Sequence, residues 1–302
     1  MKIIPKLLAA SILAASIAFT LMPGSMDAQS SEPVKVYVNN YQAYNGVVVR
    51  HGLTFITLTD LKNLGEYQFQ YNKNTKQVTI AGEDAKAVLT IGSKQISVNG
   101  KNQTIESAPF LDKEGKTMIP LRAVSQAFDA ELVWNPSTRT VYIGKTTDEV
   151  LQRTKNASLS VARNAVLQLP RVSRLPAELE LTYLESQNTY YYFPRNETNS
   201  FFIRDNDLVN YYKVTGGHAE LLWQGKMDVS KQQNQSNIFF IKYTFSKEVG
   251  AQPDVSGTTF AEFIYAAPVG SVSYRLINKS GELSEFGTVD SKGGIVDIPQ
   301  EN

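Results

Sequence analysis

The sequence predicts an α+β protein of two domains, and three observations carry that prediction. A strand, helix and hairpin pattern over residues 116–144 occurs a second time upstream. A polar segment with helical spacing covers residues 146–168. From residue 175 onward the hydrophobic period is mostly two, the mark of half-buried strands.

The pattern at 116–144 is the clearest. Residues 117–120 read as extended, because Met118 and Ile119 are apolar and Pro120 biases its predecessor away from the helical region. Leu121, Val124, Ala127 and Phe128 form one stripe of a 3.6-residue period, with Arg122, Ser125 and Gln126 on the other side, so a short amphipathic helix follows. Residues 131–134 are a short apolar strand, Asn135-Pro136-Ser137-Thr138 is a turn, and residues 139–143 alternate with Val141 and Ile143 on one face.

A shift of 63 residues without a gap lays the earlier copy on this one: Thr54 on Thr117, Ile56 on Ile119, Leu58 on Leu121, Asn72 on Asn135, Thr75 on Thr138, Val78 on Val141 and Ile80 on Ile143. Tyr71 falls on Trp134, and with a slightly different offset Val38-Asn39 matches Val98-Asn99. A two-turn helix and a hairpin are each marginal alone, so the copies are expected to bury their apolar faces against each other. The predicted core of this domain is Leu58, Tyr71, Ile119, Leu121, Trp134 and Val141. With Trp134 as its anchor, Trp134→Ala is expected to cost roughly 3 to 5 kcal/mol.

The run GKTMIPLRAVSQAFDAELVWNPSTRTVYIG, with Val98-Asn99-Gly100 upstream, resembles the copper amine oxidase N-terminal domain-like family, also called the stalk domain. The resemblance covers residues 34–145 and is stronger in the second copy. In the first, Thr57 stands in place of the Pro, Thr59 of the Arg and Lys73 of the turn Pro. The family occurs on secreted and surface bacterial proteins that are not amine oxidases, so the resemblance implies a module rather than a chemistry. Amine oxidase activity itself requires three imidazoles on copper and a Tyr processed to a quinone. The chain has two histidines, His51 and His218, and no Asn-Tyr-Asp setting, so copper, a quinone and any other cofactor are not expected.

Composition is that of a globular protein, 42% hydrophobic and 20% charged. Absence of cysteine excludes disulfides, thiolate metal sites and lipid attachment through an N-terminal Cys. The formal charge of +1 gives no electrostatic footprint for nucleic acid. Residues 1–28 read as a signal peptide, with Lys2 and Lys6 before an apolar run over 7–21 and a Pro23-Gly24-Ser25 break. An extracellular or cell-surface location follows as an expectation, with membrane attachment only if that peptide stays uncleaved.

The expected organisation is a stalk-like domain over 34–145, a helical linker over 146–170 and a β-rich domain over 171–302. In the first copy, Leu58, Leu61 and Leu64 stripe a helix that stops at Gly65, residues 67–71 alternate as a strand, and residues 87–91 and 95–98 form a hairpin linking the copies. Within the linker, Thr147 caps a helix with Asp148 and Glu149 in its first turn, and two apolar stripes on opposite sides leave open one long helix or two short ones. Strands are then expected at 179–184, 190–193, 201–203, 208–214, 219–223, 238–245, 259–266, 271–277 and 295–298, a mainly antiparallel sheet or sandwich with an N-terminal helix. Residues 227–237 lack a period and read as a loop.

No catalytic motif is present. His218 and His51 read as hairpin-edge and turn residues, and Asp205-Asn206-Asp207 as a turn lacking the Gly and final Glu of a calcium loop. Glu178, Glu180, Glu220 and Glu262 could act as paired carboxylates, but nothing in their spacing selects a pair. Tyr190-Tyr191-Tyr192-Phe193 alternates, and Tyr190 and Tyr192 on one face are the candidate ligand contacts. The expected function is a non-catalytic, envelope-associated or secreted binding protein whose stalk-like module presents a β-rich recognition domain. Its expected partner is a cell-wall polymer, an extracellular polysaccharide or another envelope protein. The alternative is a secreted hydrolase with a carboxylate site in the C-terminal domain.

Overall fold

Each copy of the repeat opens with a hairpin whose turn only a few residue types tolerate. Asn39 and Asn40 in the first, and Asn99 and Gly100 in the second, sit at positive φ between paired strands. The computed structural model describes residues 32–83, 85–182, 188–228, 244–266, 270–290 and 294–301. The signal-peptide segment and most of the 227–237 loop lie outside the described residues.

In chain order the first part comprises β1 (Lys35–Val38), β2 (Tyr41–Gln42), β3 (Val47–Arg50), β4 (Leu53–Thr57), α1 (Leu58–Leu61) with a 3-10 turn over Lys62–Leu64, β5 (Gln68–Asn72), β6 (Gln77–Ala81), β7 (Lys86–Thr90), β8 (Gln95–Val98), β9 (Lys101–Thr104), β10 (Phe110–Leu111), β11 (Thr117–Pro120), α2 (Leu121–Phe128), β12 (Glu131–Asn135) and β13 (Thr140–Gly144). The hairpin β5–β6 repeats as β12–β13 at the shift read from the sequence. The two copies meet where β4 pairs antiparallel with β11, and there Ile56 lies directly opposite its own equivalent, Ile119. A local twofold axis therefore passes between them. Strand β1 pairs in parallel with β13, closing the unit by joining its first and last strands.

The repeats form one core, with Val36, Val38, Ile56, Leu61, Val78, Ile80, Ile119, Leu121, Val124, Phe128, Val141 and Ile143 all buried. Two predicted core residues are corrected: Tyr71 is 44% exposed and Trp134 47% exposed. Each faces the side of its hairpin that bears Val78 or Val141, but β5 and β12 are edge strands, so no further strand covers the ring. Leu58 is half-buried against the core. The helix of the first copy is one α-turn plus a 3-10 turn, capped where the Thr57 hydroxyl accepts from the Asp60 N–H.

Beyond residue 145 come α3 (Asp148–Arg153), α4 (Leu159–Gln168), β14 (Arg171–Ser173), β15 (Asn188–Pro194), β16 (Ser200–Asp205), β17 (Leu208–Thr215), β18 (His218–Met227), β19 (Phe245–Gly250), β20 (Phe260–Ala266), β21 (Ser271–Ile277), β22 (Gly287–Asp290) and a 3-10 turn at Pro299–Glu301. The helical segment is two short helices, each with a hydroxyl N-cap, Thr147 and Ser158. Strands β14–β22 make one nine-stranded sheet, antiparallel except where β14 runs parallel to β18. Helix α4 lies on one face with Phe193, Phe201 and Phe263, while Tyr192, Phe202, Trp223 and Phe260 fill the other.

Among the described residues the chain is thus mostly β, in four sheets with few helices, and the expected α+β class holds only in that coarser form. Two expected strands are corrected. Residues 179–182 form none, because the Leu179 N–H donates to the Gln224 side chain at 2.9 Å instead of to a neighbouring strand. Residues 295–298 form none, because both backbone groups of Ile295 are taken by the Asn164 amide of α4, at 2.8 and 2.7 Å. Of the expected strand over 238–245, residues 238–243 lie outside the described residues.

Residues 33–302 cluster as one compact unit, and the seam between the repeat and the large sheet combines a small apolar cluster of Val133, Tyr142 and Val172 with a set of hydrogen bonds. Asn135, buried in the β12–β13 turn, donates to the carbonyls of Ser173 and Leu175 at 3.1 and 2.9 Å. Asn40 accepts from the Arg171 N–H at 2.6 Å and donates to the Leu169 carbonyl at 3.1 Å. Gly144 is required here, since a Cβ would stand 2.4 Å from Pro170. The Tyr142 hydroxyl donates to Glu178 and its ring stacks on Tyr37 at 5.6 Å.

Burial first, and the nearby Glu178 carboxylate second, raise the phenols of Tyr142 and Tyr37 above the ordinary tyrosine value. Burial does the same for Tyr191 and Tyr212 in the large sheet. In the unfolded chain these groups ionise near pH 10, whereas the folded chain keeps its protons. Their contribution is therefore fully present below the unfolded value and is lost as pH climbs toward the folded ones. Urea midpoints recorded from about pH 9 to about pH 11 are expected to fall, and less steeply in Tyr142→Phe. A flat profile would contradict the assignment.

Candidate functional site

A concavity beside exposed polar groups lies in the repeat domain. It is a cleft of about 710 Å³ between β3–β4, the loop after β9, the start of α2 and the β12–β13 hairpin. Its lining is mixed, with apolar Val49, Leu53, Leu121, Leu132, Val141 and the Trp134 ring beside polar or charged Thr54, Glu106, Arg122, Gln126 and Arg139. Trp134 arrives here because β12 alternates: Val133 and Asn135 turn toward the seam and are buried, so Leu132 and Trp134 turn into the cleft.

Glu106 is the one carboxylate among the described residues lining the cleft, and it is ion-paired with Arg122. Both side chains of that pair are more than half exposed, so the pair contributes only about 0 to 1 kcal/mol and opens readily. A hydrolytic pair of carboxylates is therefore not formed here. An exposed aromatic face beside hydrogen-bonding groups is instead suited to holding a hydroxylated ring. Among the described residues no three His, Cys, Asp or Glu side chains gather to hold a metal ion, and no helix is long and apolar enough to cross a membrane.

The residues singled out in the C-terminal part have other roles. Tyr192 is 1% exposed and Tyr190 is half-buried with the Arg204 guanidinium 4.0 Å over its ring, so the Tyr190/Tyr192 face is a covered sheet face and not an open platform. The alternation was legible, but what covers each face was not. Glu262 is buried against Arg275, Glu178 accepts from Tyr142 and Glu220 bonds Arg174 at 2.7 Å. Glu180 is exposed. Asp205 and Asp207 flank the β16–β17 turn, where Asn206 has positive φ and Asp207 lies 3.6 Å from Lys226. His51 is an exposed turn residue, and His218 at the start of β18 meets Glu131 across the seam at 2.5 Å.

Sequence reasoning named Trp134 but placed it in the core, and it missed Leu132, Glu106, Arg122 and Gln126 as a set. The available signal was the duplication, which puts an aromatic on an edge strand twice, at Tyr71 and Trp134.

No curated protein matches the chain. The β1–β13 unit is nonetheless identifiable: residues 36–143, about a third of the sequence, match the family model of the copper amine oxidase N-terminal domain, an accessory domain and not the catalytic one.

Proposed function

We propose that this is a secreted or envelope-associated, non-catalytic binding protein whose repeat domain holds a hydroxyl-rich, near-neutral glycan chain in the Trp134 cleft. The observation that carries the reading is a 47% exposed tryptophan in a partly apolar cleft that also bears Arg122, Arg139, Gln126 and Glu106. Sugar rings place C–H faces on an aromatic plane while their hydroxyls need a few convergent polar groups, and this cleft offers both. The formal charge of +1 supports a ligand that is not a polyanion. Cell-wall polymer and extracellular polysaccharide both meet that description. The proposed site thus moves from the C-terminal sheet to the repeat, and the nine-stranded sheet becomes the body to which the binding module is docked.

The test uses the two tryptophans, of which Trp223 is fully buried. Titrating the full chain with short soluble N-acetylglucosamine oligomers is expected to change emission saturably and to protect it from acrylamide. Trp134→Ala is expected to abolish both effects and to reduce co-sedimentation with purified sacculi. An emission that no oligomer alters, in a protein that sacculi do not retain, would remove the glycan reading.

A further inference from the structure

The two copies share a backbone plan but differ in how the walls of the corresponding cleft are joined. In the second copy those walls are the loop 105–109 and the start of α2, whose Ala123 lines the cleft, with Leu53 on the facing strand. The shift of 63 residues places Asp60 at the position of Ala123 and Lys116 at that of Leu53. The loop 43–46, between β2 and β3, takes the place of loop 105–109, between β9 and β10.

In the first copy both exchanged residues tie the walls together. Asp60 is 3% exposed, and its carboxylate accepts from the Tyr44 N–H at 3.2 Å, the Asn45 N–H at 3.1 Å, the Asn45 side-chain amide at 2.8 Å and the Thr57 hydroxyl at 2.9 Å. Lys116 adds a bond to the Asn45 carbonyl at 3.0 Å. A buried carboxylate saturated with donors is a strong tie, because each lost bond leaves a desolvated charge. Ala123 and Leu53 can make neither link. Among the described residues, the exposed Arg122–Glu106 pair joins the same walls in the second copy, and both groups line the cleft, where ligand hydroxyls can take them over.

We propose that the duplicated unit has one locked copy and one open copy, with residues 60 and 123 deciding which, so that each chain presents a single binding cleft at Trp134. The proposal rests on the glycan reading for the identity of the ligand but not for the lock itself. Tyr71, the equivalent of Trp134, then lies beside a closed cleft and takes no ligand.

Two measurements on the full chain separate these points. Amide hydrogen exchange reads the lock without ligand: the Tyr44 and Asn45 amides are expected to exchange more slowly than those of residues 106–107. The double variant Leu53→Lys/Ala123→Asp is expected to slow exchange over 105–109 and to weaken binding of N-acetylglucosamine oligomers at least about tenfold. Ala123→Asn, which accepts through its amide oxygen without a buried charge, serves if the carboxylate variant does not fold. Equal exchange in the two wild-type loops, or a folded double variant that binds as well as wild type, would overturn the proposal. A wild-type chain that binds no oligomer while the exchange contrast stands would overturn the glycan reading and leave the lock supported.

Discussion

Glu301→Gln is expected to lower the free energy of unfolding by about 3 to 5 kcal/mol, because it strands a buried guanidinium. Arg163 projects from α4 and is 0% exposed; its two terminal nitrogens reach the Glu301 carboxylate at 2.7 and 2.5 Å. The same carboxylate accepts from the Asn196 N–H at 2.9 Å, and the guanidinium lies 5.1 Å from the Phe193 ring centre and 5.6 Å from that of Phe263. Helix, sheet and C-terminal 3-10 turn are thus joined through one pair of charges whose desolvation is offset only while both are present. Arg163→Met combined with Glu301→Leu is expected to recover most of the loss, since apolar groups of similar volume can replace a buried ion pair. Urea denaturation checks both, and a Glu301→Gln midpoint equal to wild type at an unchanged denaturant slope would disprove the clamp.

Trp223→Ala is expected to cost about 3 to 5 kcal/mol, whereas Trp134→Ala is expected to stay within about 1 kcal/mol of wild type. Trp223 is 0% exposed, meets Phe245 edge-on at 5.1 Å and donates from its indole nitrogen to Glu248 at 3.1 Å. Gly225 makes the room, for a Cβ there would stand 2.5 Å from the indole ring. Truncation leaves a large void in a close-packed face, while the exposed Glu248 carboxylate exchanges its lost bond for water. Trp134 is 47% exposed in the cleft, so truncation removes little packed core. Thermal melts of the two variants side by side decide the matter. A large loss in Trp134→Ala with little change in Trp223→Ala would reverse the assignment of core and cleft.

The contrast between the two tryptophans shows where reading the sequence succeeds and where it stops. The strand at 131–134 and the alternation of 190–193 were legible, because side chains on a strand point alternately to opposite faces whatever surrounds them. Whether the chosen face meets a neighbour is a property of sheet order. Trp134 lies on an edge strand and stays open, while Tyr192 lies on β15 between β16 and β20 and is covered. Asn135 shows the same limit. Its role in its own turn was readable, because a short amide accepts from N–H groups two and three residues on, here Ser137 and Thr138. Its reach to Ser173 and Leu175 was not, because those partners are distant in the chain.

By itself the sequence determined the duplicated unit, the turn at Asn135-Pro136-Ser137-Thr138, the Thr147 cap of α3 and the absence of thiol chemistry. All of these depend on local sterics, spacing or composition. The tertiary structure alone decided that equivalent strands pair across a local twofold, that Asp60 is bonded to loop 43–46 while Ala123 lines a cleft, and that Trp134 lines that cleft instead of filling a core. Those outcomes depend on which surfaces meet after folding, and burial and hydrogen-bond partners over long separations leave no periodic trace in a single chain.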